Sequence, residues 1–260
     1  MSPDSARCIR LTKPRTMRGL RGAGQPWRRI WTMKKLLTAA LPVIIAAAAL
    51  APAPALAGST EGKLQVKVLG TGVLPDGKIV DVKYDPLGLT DGAQTRANDN
   101  VVPTIAIEYF FTPNISAETI CCLTQHHVSG AGTLEGADHI VDHVLVLPAT
   151  LTLKYHLPLE GGIKPYIGAG PSMFLYFGEK PGSSITPLGV DKVKMSNDLG
   201  FALQAGVDIP VNDKGLGVTL DAKKYFMDTT AHFYVSGTEV LTTKHSLDPW
   251  VVSAGLSYRF

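Results

Sequence analysis

The chain has 260 residues, 18% of them charged, and a formal net charge of +3. The charge is unevenly divided: residues 1–57 hold ten Lys or Arg and one acid, which leaves 15 basic and 21 acidic residues in 58–260. That part of the chain is net acidic and lacks the basic character that nucleic-acid binding requires, so we expect no nucleic-acid partner.

The chain opens with a pattern typical of a secretory leader. Residues 33–57 start with Lys34 and Lys35, continue in an apolar stretch over 36–50, and end in Ala-Leu-Ala, the small-x-small pattern of a signal peptidase site. The apolar stretch is too short for a membrane-spanning helix of about 20 residues. We therefore predict a signal peptide that is cleaved after Ala57.

This leader divides the chain into two parts. Residues 1–57 form the predicted leader, and residues 58–260 form a single exported domain. Residues 1–32 are either an extended basic segment of the signal or translation upstream of a true start at Met33.

Beyond the leader, apolar and polar residues alternate with a period of two, which is typical of β-strands. No run of 18 apolar residues and no long stretch of helical periodicity interrupts the pattern. In chain order, the alternating segments are 63–68, 101–111, 114–124, 143–157, 164–177, 198–209, 215–226 and 251–260. The sequence thus predicts eight strands.

The spacers between these strands alternate in length. Short spacers fall at 112–113, 158–162 and 210–214, and long ones at 70–99, 125–142, 178–195 and 227–245. We read the long spacers as loops because of runs such as GAGTLEGAD, KPGSSITP and SGTE, although the first could carry a hairpin or a strand extension. Short turns at one end and long loops at the other are typical of an antiparallel barrel.

The character of the two faces separates a membrane barrel from a soluble sandwich or lipocalin-like barrel. A soluble protein would carry charge on its outer face, whereas here the polar series is mostly small or uncharged. The apolar series runs for about ten residues per strand, enough to cross a bilayer when tilted. We predict an all-β fold, an eight-stranded antiparallel transmembrane β-barrel with short periplasmic turns and long extracellular loops, located in the bacterial outer membrane.

The last strand ends the chain on aromatic residues. Leu256, Tyr258 and Phe260 fall on its apolar face, and we expect this strand to close the barrel against the first one. Tyr258 and Phe260 look like the signal by which the barrel insertion machinery recognises such proteins. Phe260 would also serve as an ordinary residue of the aromatic girdle.

Several segments together resemble the OmpW family of small outer-membrane proteins. They are EYFFTPNISAE (108–118), LPATLTLKYHL (147–157), KPYIGAGPSMFLYF (164–177), FALQAGVDIPV (201–211), LDAKKYFMDT (220–229) and DPWVVSAGLSYRF (248–260), and the opening KLQVKVLGTGVLPD (63–76) fits as well. The resemblance implies an eight-stranded barrel in the outer membrane of a Gram-negative bacterium, with a narrow, rather apolar lumen proposed to pass small hydrophobic molecules. It also implies, for some members, a link to stress responses and a role as receptor for phage or bacteriocins.

Charged residues on the predicted inward faces are the lumen candidates. They are Lys67, Glu108, Glu118, Lys154, Asp221, Lys223 and Arg259. They could form a polar track for solutes, or an ion-pair network that neutralises itself and plugs an eight-stranded barrel. Four inward glycines could keep a bore open or relieve crowding, namely Gly168, Gly170, Gly200 and Gly206.

The remaining His, Asp, Ser and Cys residues that could bind a metal or catalyse a reaction form no recognisable site, so we predict no cofactor and no catalysis. A metal site among His126, His127, His139, Asp142 and His143 would need a helix that the sequence does not indicate. Catalytic groupings of His232 with Ser236, or of His245 with Ser246 and Asp248, lack a nucleophile motif. Cys121 and Cys122 are adjacent and point to opposite faces, so we expect no disulfide between them.

The functional prediction is passive passage of small hydrophobic molecules through a narrow lumen, without enzymatic activity. The alternative is a structural, adhesive or receptor barrel that acts through its extracellular loops and has a plugged lumen. The expected partners are outer-membrane lipid, the barrel insertion machinery and small hydrophobic solutes, with phage or bacteriocin under the alternative.

Overall fold

The computed structural model describes residues 59, 61–157, 159 and 162–260. The predicted signal peptide and its cleavage site after Ala57 lie outside the described residues. Within the described ranges, no helix is long and apolar enough to cross a membrane.

The described chain consists almost entirely of β-strands. In order they are β1 (Leu64–Leu74), β2 (Lys78–Tyr84), β3 (Ala93–Ala97), β4 (Asn100–Phe110), β5 (Ile115–Cys121), β6 (Thr124–Gly132), β7 (Val141–His156), β8 (Lys164–Pro181), β9 (Lys192–Met195), β10 (Leu199–Pro210), β11 (Leu216–Phe226), β12 (Asp228–Val235), β13 (Thr238–Ser246) and β14 (Trp250–Arg259). A short 3₁₀-helix spans Thr186–Leu188.

Eight of these strands close into an antiparallel barrel in the order β1-β4-β5-β7-β8-β10-β11-β14. The ring is completed by β14 against β1, from the pair Gln65–Arg259 to the pair Leu74–Trp250. The predicted strands and the closure of the last strand on the first are therefore confirmed. Closure leaves the barrel without a free edge strand. A free edge would expose unpaired backbone N–H and C=O groups to the lipid, where they cannot form hydrogen bonds.

The two faces of the wall differ as the alternation predicted. Outward side chains are apolar and exposed, for example Val101 at 77%, Ile167 at 61% and Leu199 at 79%. Inward side chains are buried and include most of the charged residues of the barrel strands. An eight-stranded barrel is just wide enough to be filled by such side chains.

The long connections are more ordered than predicted. They contain β2, β3, β6, β9, β12 and β13, and four of these form a second sheet in the order β2-β13-β12-β9. The stretch around SGTE, read as a loop, contains a hairpin turn in which Ser236 and Gly237 both have positive φ, 49° and 83°. Two such residues form the tight turn that suits antiparallel strands, so the prediction of a loop was wrong there.

Candidate functional site

Glu118 lies at the centre of the barrel, within reach of three lysines from three other strands. Its carboxylate is 2.9 Å from Lys67 Nζ, 2.9 Å from Lys154 Nζ and 3.1 Å from Lys223 Nζ. All four side chains are no more than 3% exposed. Because a buried charge is costly unless it is paired, this clustering stabilises each of the four ions.

Each of these lysines also contacts a second acid. Glu108 Oε2 lies 2.7 Å from Lys67 Nζ and 2.9 Å from Lys154 Nζ. Asp221 Oδ1 lies 2.7 Å from Lys223 Nζ. We call the six residues Lys67, Glu108, Glu118, Lys154, Asp221 and Lys223 the ionic layer. It holds three positive and three negative side chains.

Neutral side chains complete the hydrogen bonding of the ionic layer. Gln204 Nε2 donates to Glu118 Oε1 at 2.9 Å and to Asp221 Oδ2 at 2.6 Å. Tyr166 donates its hydroxyl proton to Asp221 Oδ2 at 2.7 Å, and its ring lies 3.6 Å from the Lys154 ammonium. These contacts hold the charged groups in one fixed arrangement.

Two residues that flank the ionic layer were not among the predicted lumen candidates. His156 Nε2 lies 2.8 Å from Glu108 Oε1, and Asp208 Oδ1 lies 3.5 Å from Lys67 Nζ. The alternation of each strand already places both on the inward face: His156 lies two residues after Lys154 in β7, and Asp208 lies four residues after Gln204 in β10. The alternation of apolar and polar residues in the sequence was therefore enough to identify both residues.

Arg259, the seventh predicted candidate, lies apart from the ionic layer at the short-turn end. Its guanidinium stacks 3.5 Å from the centre of the Phe110 ring, and Nε donates to the Gly62 carbonyl oxygen at 2.5 Å. It forms no ion pair within the described part of the chain. The structure therefore brings six of the seven predicted residues together and places the seventh at the rim.

Two inward glycines make room for side chains of this region. A Cβ atom at Gly168 would lie 2.9 Å from Lys154 Cγ, and one at Gly206 would collide with the Tyr166 hydroxyl. The space at both positions is thus occupied by neighbouring side chains. These two glycines therefore relieve crowding between side chains and do not keep a bore open.

A cavity lies on the other side of the ionic layer, toward the long connections. It has a volume of about 60 Å³ and is lined almost wholly by apolar groups. Barrel strands supply Ile120, Val146, Phe174, Tyr225 and Val251, and the long connections supply Met195 and Leu247. The lumen is therefore polar and filled in one half and apolar in the other.

Next to this cavity, the backbone pairing of β7 with β5 and β6 is interrupted, which leaves a gap in the ladder of the barrel wall. Pairing between β5 and β7 ends at Ile120–Thr150, and pairing between β6 and β7 begins at Thr124–Val146. The residues between include Pro148, which has no N–H to donate. Cys122 and Pro148 both line the cavity, so the unpaired part of the wall separates it from the outer surface.

The histidines of the predicted metal grouping are dispersed. His126 faces the lumen and bonds the Asn98 carbonyl oxygen at 2.8 Å through Nδ1, whereas the His127 ring stacks on that of His139 at 5.3 Å. His139 Nδ1 lies 3.4 Å from Asp142 Oδ1. Among the described residues, no group of three or more His, Cys, Asp or Glu side chains is arranged to hold a metal ion.

The two catalytic groupings are not assembled within the described residues. His232 Nδ1 lies 2.8 Å from Glu239 Oε1, and that hydrogen bond lowers the pKa of Glu239. His245 bonds the hydroxyls of Thr95 and Thr243, whereas Ser246 donates to Asp248 at 2.6 Å. Neither histidine therefore activates the serine with which it was grouped.

The remaining predicted residues lie on the wall. Cys121 is exposed and Cys122 is buried, and both are free thiols. The rings of Tyr258 and Phe260 are 5.8 Å apart at the end of β14. Their recognition by the insertion machinery stays a prediction.

Comparison with known proteins agrees with this architecture. Residues 60–260 match the model of the OmpW family. The uncharacterized outer-membrane protein y4mB of Sinorhizobium fredii is 37% identical over 225 residues, covering 83% of this chain and 90% of that protein. The dibenzothiophene metabolism operon protein PahQ of Pseudomonas aeruginosa is 29% identical over 170 residues, covering 65% and 76%.

A solved structure shows the same fold. The crystal structure of the outer membrane protein OprG from Pseudomonas aeruginosa superposes with a TM-score of 0.67 at 24% identity, covering 78% of this chain and 98% of OprG. In such barrels the short turns face the periplasm and the long connections are extracellular.

Proposed function

Because the chain belongs to the OmpW family and is an outer-membrane β-barrel, we propose that it gives passive passage to small hydrophobic molecules. The solute binds in the apolar cavity of the extracellular half and leaves sideways through the wall. The observation that carries the proposal is the position of this cavity, between the ionic layer and the gap beside Pro148.

The axial path is unfavourable for an apolar solute. To pass toward the periplasm it would have to separate Glu118 from its three lysines, and breaking a single buried ion pair costs about 3–5 kcal/mol. The lateral path leaves the cavity beside Cys122 and Pro148, which both line it, and it ends in lipid. An apolar molecule therefore gains by leaving through the wall.

The name of one relative supports a small hydrophobic molecule as the solute. PahQ is named for a dibenzothiophene metabolism operon, and dibenzothiophene is an apolar aromatic compound. The lining of the cavity, with Phe174, Tyr225 and Met195, suits such a molecule better than a polar one.

Cys122 offers a direct test, because its thiol lines the cavity. In a Cys121→Ser variant on whole cells, we expect a neutral maleimide to label Cys122 and a charged thiosulfonate not to label it. Naphthalene should slow the neutral reaction. Equal labelling by the charged reagent would show a wet, open lumen and contradict the proposal.

A second candidate is a receptor barrel that acts through its extracellular sheet. The observation in its favour is the edge strand β2, which exposes Val80 at 55%, Val82 at 40% and Tyr84 at 47%. Replacing 79–84 by a short Gly-Ser linker should then abolish partner binding and leave solute uptake unchanged. Loss of uptake alone would favour passage.

A further inference from the structure

Lys224 is a charged residue on the lipid-facing side of the barrel wall. It lies on the outward face of β11, between Leu203 of β10 and Trp250 of β14, and within these three described strands no other charged residue faces outward. Its ammonium donates to the Asp248 carbonyl oxygen and lies 5.4 Å from the centre of the Trp250 ring. Among the described residues, no carboxylate forms a salt bridge with it. Because an ammonium has three donor protons, Lys224 can bind a further acceptor.

An open pocket lies on the outer surface beyond Lys224, where the wall meets the extracellular sheet. It has a volume of about 570 Å³. Its lower edge is apolar and exposed, with Leu199 at 79% and Phe226, two residues after Lys224 on the same face, at 49%. Its upper edge is charged, with Lys83 of β2 and Lys244 of β13. A lipid of the outer leaflet has the same order of polarity, with apolar chains below a polar headgroup.

The pocket offers hydrogen-bond acceptors as well as donors. Asp228 Oδ2 lies 2.7 Å from Lys244 Nζ, and these side chains are 41% and 35% exposed, so both can be reached from outside. Asp198 and Asp248 each accept a serine hydroxyl through Oδ2, at 2.7 and 2.6 Å. Within the described part of the chain, the Oδ1 atoms of Asp198 and Asp228 accept no hydrogen bond. Ammonium groups suit a phosphate, and free carboxylate oxygens suit the hydroxyls of a sugar.

We propose that this surface binds a phosphorylated glycolipid of the outer leaflet. The phosphates accept hydrogen bonds from Lys224 at the lower edge and Lys83 at the upper edge. The sugar hydroxyls donate to Asp198 and Asp228, and an acyl chain packs on the exposed apolar side chains of the lower edge. A headgroup of phosphate alone would meet these carboxylates without a hydroxyl to offer them, so the surface selects the glycolipid.

Trp250 makes the binding measurable, because it is the one tryptophan of residues 58–260 and lies beside Lys224. Protein extracted from outer membranes into a sugar-free detergent, and washed free of lipid, is titrated while tryptophan fluorescence is followed. The Trp250→Phe variant gives the background. Lipid A is the complete probe. Each other probe lacks one part: phosphatidic acid lacks the sugar, monogalactosyl diacylglycerol lacks the phosphate, and glucosamine 1-phosphate lacks the acyl chains.

We expect lipid A to bind at least tenfold more tightly than each incomplete probe. Lys224→Gln and Lys83→Gln should each weaken the binding of lipid A at least fivefold. Lys78→Gln is the matched control, since Lys78 lies in the same strand as Lys83 but outside the pocket, and it should leave the affinity unchanged. None of these lysines is buried, so the variants should fold like the wild type.

Three results would overturn the inference. They are no saturable fluorescence change with lipid A, an incomplete probe that binds as tightly as lipid A, or wild-type affinity in either Lys224→Gln or Lys83→Gln. The inference is independent of the proposed passage. Naphthalene protection of Cys122 reports on the cavity inside the barrel and Trp250 on its outer surface, so either property can fail while the other stands.

Discussion

The carboxylate of Glu118 lies 2.9 Å from the ammonium of Lys154 at the centre of the barrel, although the two residues come from different strands. The same carboxylate contacts Lys67 and Lys223, so one side chain neutralises part of three buried charges. The ionic layer divides a lumen whose two halves differ in polarity. This division leads to the following predictions.

Replacing Glu118 by glutamine should destabilise the barrel strongly. The substitution keeps the shape but removes the charge that three buried lysines share, and breaking a buried ion pair costs about 3–5 kcal/mol. Urea unfolding in lipid vesicles measures the change in unfolding free energy. The exposed Glu135→Gln should shift it by less than about 0.5 kcal/mol. Similar stabilities for the two variants would mean that the ionic layer contributes little.

The wild-type barrel should conduct no ions in a planar bilayer. The ionic layer and the side chains around it fill the lumen, so hydrated ions have no continuous path. A double variant, Glu118→Ala with Lys154→Ala, removes one charge of each sign and the bulk of two side chains. It should show discrete conductance steps. Steps of equal size in wild type and variant would contradict a closed lumen.

Replacing Pro148 by alanine should slow the uptake of hydrophobic solutes several-fold. The change supplies an N–H at the gap between β5, β6 and β7 and favours completion of the ladder. Pro165 of β8 is the control, since it pairs with Val207 of β10 on one side and its carbonyl oxygen accepts a hydrogen bond from the Leu157 N–H on the other. Uptake of naphthalene by whole cells is the measurement. Equal effects of Pro148→Ala and Pro165→Ala would exclude the gap as the exit.

The extracellular sheet should loosen as the pH falls. Burial lowers the pKa of His245 in β13 below its ordinary value of about 6.5. The folded sheet therefore holds the neutral form, while the opened strand takes up a proton. Stability is complete above about pH 6.5 and declines as the pH falls through that value toward the lower folded pKa.

Hydrogen exchange of the β13 amides at pH 7.5 and pH 5, corrected for intrinsic rates, measures this effect. We expect lower protection at pH 5 in the wild type and no such difference in His245→Gln. His232→Gln should keep the wild-type behaviour. A pH dependence that survives in His245→Gln would assign it to another group.

Removing the terminal aromatic ring should impair assembly. Phe260→Ala takes away the ring that lies 5.8 Å from Tyr258 at the end of the closing strand. If these two residues form the insertion signal, the variant should accumulate outside the outer membrane, and Trp250→Ala at the other end of β14 should assemble normally. Fractionation followed by immunoblotting distinguishes the two. Normal assembly of both would leave Phe260 a girdle residue.

The sequence by itself determined the strands and their faces. A period of two assigns each residue to the lumen or the lipid, so Lys67, Glu118 and Lys154 could be placed inside without coordinates. The same rule would have placed His156 and Asp208 there. The hairpin at Ser236 and Gly237 was also readable from its turn residues, once the long spacer was considered as a pair of strands.

Only the tertiary structure decided which inward residues meet. Alternation gives the face of a residue but not its height in the barrel, which depends on the tilt and stagger of the strands. That stagger brings Lys67, Lys154 and Lys223 to the level of Glu118 and leaves Arg259 at the rim. It also sets the unpaired stretch around Pro148 beside the apolar cavity, because the height of Pro148 in the barrel depends on the same stagger.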